Sequence, residues 1–185
     1  GDDSAAEAVT VEAVPDSGGG GGGGGGGALD TSEELTAEEL REEIAVPPSV
    51  TVEYAEEANI FRDLTGDGSR AEFSADSPVR TIAFDEDADG DVIIAELDRS
   101  PTDIGTPPGA VLTTLRIEPP AEAAESAATV EVRLDRETLS ERDIDLEDVR
   151  VVRFNEVADE WQTLNRTVVE DNSEEVVLAA ETPGF

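Results

Sequence analysis

The chain has no cysteine, no histidine and no methionine, and its twelve basic residues are all arginine. Without cysteine there is no disulfide framework, no thiolate nucleophile and no thiolate zinc site. Without histidine there is no Ser-His-Asp triad and no imidazole metal ligand. No apolar run approaches the roughly 18–20 residues that cross a bilayer, so no membrane span is predicted. Positive charge is scarce: 12 basic residues face 46 acidic ones, a formal net charge of −34 over 185 residues. A surface of that sign repels nucleic acid and anionic lipid, which excludes them as partners.

What is abundant is carboxylate. A domain with this net charge repels itself in dilute buffer. The Debye length is about 8 Å at physiological ionic strength and about 3 Å at 1 M, so molar salt confines the repulsion to nearest neighbours. Carboxylates hold water and cations, whereas lysine would add apolar stem to the surface. Acid excess without lysine is the composition of a protein living in brine. An acidic disordered tail or a nucleic-acid mimic is the competing reading. The 37% hydrophobic content and the alternating patterns in the second half argue against disorder.

The chain divides into four stretches. Residues 1–17 hold one strand-like segment, Ala8 to Val14, stopped by Pro15; they read as a lone strand or a disordered segment. Residues 18–27 are ten consecutive glycines, a flexible tether with a random-coil span of about 17 Å, expected to uncouple whatever precedes it. Residues 28–49 predict a short acidic helix, about Ser32 to Ile44, capped by Asp30 or Thr31 and ended by Pro47-Pro48. From residue 50 to 185 the pattern turns to period two. Val50–Tyr54, Arg80–Phe84, Val92–Leu97, Val111–Ile117, Val130–Leu134, Val149–Phe154, Trp161–Leu164 and Val176–Leu178 read as strands. Turn signals such as Asp89-Gly90, Thr106-Pro-Pro-Gly109 and Pro119-Pro120 separate them. Many short strands with regular turns predict a mostly β fold, a sandwich or barrel. One helix interrupts it, about Arg136 to Arg142, with Asp135 as N-cap and Leu139 facing inward.

The order of features from about residue 105 to the end is Thr106-Pro-Pro-Gly109, Leu115-Arg-Ile117, strand Thr129–Leu134, the short helix, Asp143-Ile-Asp145, Val151–Phe154, Glu160-Trp161-Gln-Thr-Leu164 and Glu181-Thr-Pro-Gly-Phe185. In that order it resembles the PGF-pre-PGF domain of archaeal cell-surface proteins, haloarchaeal ones above all; residues 50–104 resemble it more loosely. The resemblance implies an immunoglobulin-like β-sandwich with one short helix, preceded here by the Gly-rich tether and the acidic helix. It implies an extracellular, non-enzymatic module at the surface of a halophilic archaeon, concerned with adhesion, envelope or filament assembly, with protein partners or self-association. It supplies no ligand and no catalytic residue. In the family a closing strand is expected to follow Pro-Gly-Phe, so a domain ending at Phe185 is expected to be one strand short. A chain beginning at Gly1 is expected to be a processed product or an excised piece.

Three groups of residues are candidates for a site. Asp85, Asp87, Asp89, Gly90, Asp91 and Glu96 fit the twelve-residue calcium-loop spacing D-x-D-x-D-G-x₅-E. Calcium takes six to eight oxygens, and carboxylates two apart on a tight loop supply several. Flanking strand patterns are unlike an EF-hand, and the plain reading of the same residues is an acidic hairpin tip in a chain already rich in aspartate, with Glu96 pointing outward from a strand. Ca²⁺ is thus the one candidate cofactor, and a calcium-dependent module recognising surface glycan or protein is the alternative function. Asp63 to Gly68 is a poorer loop of the same kind. Asn165-Arg-Thr167 is the only glycosylation sequon. Trp161 is read as packing rather than a glycan platform. Paired carboxylates are too many for any pair to be singled out as acid and base. Finally, Val9, Val11 and Ala13 alternate along a segment without a local partner, and are predicted to act as a strand donor to a neighbouring subunit's open groove. The plain reading beside it is that residues 8–14 are disordered.

Overall fold

The computed structural model describes residues 8–13, 47, 49–62, 68–101, 104–155 and 158–185. The acidic helix expected over 32–44, the glycine run and most of the poorer loop, residues 63–67, lie outside the described residues.

Period-two alternation becomes strand wherever one face can be buried. In β8 (Ala128–Asp135) the alternation is complete: Ala128, Val130, Val132 and Leu134 are buried, and Thr129, Glu131 and Arg133 point the other way. β12 (Glu175–Thr182) pairs with it antiparallel along its whole length. These two lie in a six-stranded sheet with β11 (Asn165–Asp171), β5 (Val79–Phe84), β4 (Ser69–Glu72) and β3 (Phe61–Arg62), in the order β11-β12-β8-β5-β4-β3. The second sheet is also six-stranded. It contains β10 (Glu160–Thr163), β9 (Arg150–Asn155), β1 (Ala8–Ala13), β7 (Val111–Glu118), β6 (Asp91–Leu97) and β2 (Val52–Asn59), in that spatial order.

One core draws on both sheets. Val92, Ile94, Leu115, Ile117 and Val151 from the second sheet meet Ile82, Phe84, Val130, Val132, Val176 and Leu178 from the first. The continuous apolar run of β6 has its reason here: Val92 and Ile94 enter this core, while Ile93, Ala95 and Leu97 form a second buried cluster with Val50 and Val52. Helix α1 (Arg136–Glu141) follows β8 directly. Asp135 caps it, accepting from the amides of Glu137 and Thr138 at 2.6 and 3.0 Å, and Leu139 closes the core at 2% exposure. The fold is therefore mostly β, with two mainly antiparallel sheets and one short helix among the described residues. No described helix is long and apolar enough to cross a membrane.

Candidate functional site

The feature that separates this fold from a simple antiparallel arrangement is β1. It lies between β7 and β9 and runs parallel to both, whereas every other described pairing is antiparallel. Val9 sits opposite Val151; Thr10 opposite Thr114 and Val152; Val11 opposite Leu115 and Arg153; Glu12 opposite Arg116; Ala13 opposite Ile117. The register shifts between Ala8 and Thr10 on the β7 side. Segment 8–13 is thus neither lone nor uncoupled from the domain, as the glycine run led one to expect. It is a strand of the domain's own sheet.

The slot is formed by two strands that the sequence does not join locally. β7 buries Thr113, Thr114, Leu115, Arg116 and Ile117 in succession. β9 buries Val151 and Val152. Among the described strands, β9 pairs only with β1 and with β10, so β1 is the ladder that ties the β9–β10 hairpin to β7. The position that β1 fills is inside the second sheet, not at an edge beside β12. β12 is already flanked by β11 and β8. Beyond it the amide of Phe185 donates to the Ala124 carbonyl at 2.8 Å, and the Phe185 ring meets Phe84 at 5.8 Å.

A cleft of about 510 Å³ opens near Val111, the residue opposite Ala8. Several of its polar groups are hydrogen-bonded. The Thr113 hydroxyl donates to Glu96 at 2.7 Å, Arg142 donates to the Val111 carbonyl at 3.2 Å, and Asp98 accepts from the Thr51 amide at 2.8 Å and from Arg99 at 2.6 Å.

The acidic loop is differently disposed from its spacing. Asp87 pairs with Arg62. The carbonyl of Gly90 accepts from the amide of Ile60, and Asp91 accepts from the Asn59 side chain at 3.0 Å. The amide of Asp89 is bonded by Glu122 at 2.8 Å. Between them Ala88 turns into the core, its amide held by the Ser69 hydroxyl at 2.9 Å. Glu96 is far along β6, on Thr113. Asp85, Asp87, Asp89, Asp91 and Glu96 are not brought together, and among the described residues no group of three acidic side chains is placed to hold a metal ion.

Asn165 opens β11, exposed, on the edge strand of the first sheet. Trp161 lies on β10, opposite Phe154 in the ladder, with the rings 5.5 Å apart and edge-on. This is a packing contact.

Two groupings had no signal in the sequence. The Tyr54 hydroxyl donates to Glu56 at 2.6 Å and sits 3.0 Å from the Ser74 hydroxyl; Glu56 also accepts from the Ser74 amide at 2.9 Å. Burial, and then the bond to Glu56, push the Tyr54 hydroxyl's pKa up. The second grouping is a set of arginines that hold carbonyls. Arg166 donates to the carbonyls of Leu146 at 2.7 Å and Val149 at 2.8 Å, and Arg133 to those of Ser74 and Ser77 at 2.7 and 3.0 Å. Arg153 reaches the Gly184 carbonyl. Burial lowers the pKa of Arg153, and burial with the neighbouring Arg150 lowers that of Arg166. No family model, curated protein or solved structure matches the chain.

Proposed function

We propose that this chain is a non-enzymatic interaction module of a halophilic archaeal cell surface, and that it works by β-strand addition. In this reading the two sheets form an immunoglobulin-like sandwich of the PGF-pre-PGF kind, and its assembly surface is the slot between β7 and β9. The observation that carries the reading is the parallel insertion of Ala8–Ala13 into that slot. A sheet whose continuity depends on a short segment from a remote part of the chain is built to receive an extended peptide. Main-chain hydrogen bonds on both sides supply affinity, and the residues in register supply selection. The acid excess supports the saline setting, since only screened carboxylates let two such surfaces meet.

The test is deletion of residues 1–17, with melting followed in molar salt. The shortened domain is expected to melt lower, because β7 and β9 then present unpaired backbone. A peptide spanning residues 5–16, added in excess, is expected to raise the melting temperature in proportion to the logarithm of its concentration, as a ligand of the folded state does. A shortened domain that melts with the full chain and ignores the peptide would refute strand addition.

A further inference from the structure

We infer that the slot exchanges its strand between copies of this chain: Ala8–Ala13 of one molecule fills the β7–β9 slot of the next, giving an open head-to-tail chain. The inference rests on the strand-addition reading above and names its occupant.

The topology is the first ground. β2, the next described strand in sequence, lies at the far edge of the same sheet, with β7 and β6 between it and β1. Among the described residues no hairpin ties β1 to a sequence neighbour. Its place is set by the register of β7 and β9 alone, and those strands are the same in every copy. The stretch from residue 14 to 46 has a contour length of at most about 110 Å. A domain of this size has a radius of gyration of about 14 Å. The molecule's own slot and a neighbour's are both within reach. Ten consecutive glycines in that stretch supply length without side chains that must pack.

Charge complementarity is the second ground. The slot's register positions include three arginines, Arg116 on β7 and Arg150 and Arg153 on β9. Segment 8–13 has one acidic residue, Glu12, and the register sets it opposite Arg116; Val11 is set opposite Arg153. The single acidic residue of the six-residue strand thus stands at the register position of one of the chain's twelve cations. Both residues belong to every copy.

Swapping an identical element is a low-cost route to association, because each contact made between molecules is one the single molecule already makes. Donor segment and acceptor slot are different surfaces, so the contact is heterologous, and nothing requires it to close into a ring. Occupancy by the chain's own strand competes through effective concentration, so exchange grows with protein concentration and with refolding of crowded mixtures.

The absence of cysteine makes the test clean. Thr10 and Thr114 are register partners, and each is replaced by cysteine in a separate full-length chain, Thr10→Cys and Thr114→Cys, one of them carrying a mass tag. The two are refolded together in molar salt at high protein concentration and oxidised. Cα atoms paired across adjacent strands lie within disulfide range. A mixed disulfide is expected at about tenfold or more the yield of a control pairing Thr10→Cys with Thr167→Cys, which lies on exposed β11. The chain carrying both Thr10→Cys and Thr114→Cys is expected to give a ladder of covalent oligomers. Equal yields with the control overturn the exchange. An internal disulfide in the doubly substituted chain without any mixed disulfide also overturns it, while leaving strand addition in place. No disulfide of either kind overturns the strand-addition reading and the exchange with it.

Discussion

Tyr54 is the only tyrosine, so its titration can be watched without interference. Burial is the larger cause of its raised pKa, and the bond to the Glu56 carboxylate the next. The neutral hydroxyl is favoured in the folded state. A group whose folded pKa exceeds its unfolded value, about 10, contributes stability that is complete below pH 10 and is lost as pH rises through the folded value. The phenolate absorbance is therefore expected to rise with a midpoint above 10 in the folded protein and near 10 in denaturant. Tyr54→Phe is expected to destabilise by about 1 kcal/mol at neutral pH and to flatten the alkaline loss of stability, both read from denaturant melts. Gly68 makes a different demand. Its φ is +130°, and a Cβ there would collide with the Phe84 carbonyl oxygen. Gly68→Ala is expected to cost about 2 kcal/mol or more, measured by the same melts.

Among the elements, α1 was legible almost to the residue. Asp135 at the end of a strand pattern, followed by residues without a β-branched run until Thr138, is a capping signal that needs nothing from afar. Asp135→Ala leaves the amides of Glu137 and Thr138 without their acceptor and is expected to cost about 0.5–2 kcal/mol in a thermal melt, while Asp135→Asn is expected to keep most of the stability. β5 to β9 and β12 were legible because each buries an alternating or continuous apolar set, and β10 was legible from Trp161 beside Leu164 although it buries no residue of its own. β4 and β11 were not. β4 has one apolar residue, Ala71, in Ser-Arg-Ala-Glu, and β11 is mostly exposed, with Val168 at 44% and Val169 at 49%. Both are strands because a neighbour pairs with them. A bulge between Val168 and Glu170 breaks the β11–β12 register, the kind of irregularity that discourages further pairing at an edge. The acidic loop's carboxylates are not gathered into a group of three, and the reason lies at the level of the elements. Its spacing counts residues along the chain, but Ala88 turns inward and Glu96 sits on a strand, so the oxygens diverge.

For the whole molecule the charge decides the conditions under which the fold survives. A net charge of −34 makes the compact state self-repelling, and the described arginines largely hold carbonyls or pair on the first sheet's outer face, as in Arg80 with Glu170 at 3.1 Å. Exposed pairs of that kind contribute about 0–1 kcal/mol and do not offset the whole. Below about a few hundred millimolar salt the domain is expected to expand or unfold, with recovery on adding KCl or NaCl, followed by circular dichroism. A full strand signal and an unchanged melting temperature in salt-free buffer at pH 7 would refute the saline reading. The same repulsion sets the direction for assembly: strand exchange between copies is expected to increase with salt.

Composition alone determined that the chemistry open to this chain excludes thiol and imidazole groups, and that carboxylate dominates it. Local patterning determined most strands, the short helix with its cap, and the packing role of Trp161. Both are properties of single residues and of near neighbours. The location of segment 8–13 was decided only by the tertiary structure. Ala-Val-Thr-Val-Glu-Ala reads as a strand but contains no turn to a partner, and parallel pairing is made across long connections rather than through a hairpin. Which strands flank it, and that Glu12 stands opposite Arg116, follow from β7 and β9 being held a strand's width apart by a core drawn from both sheets.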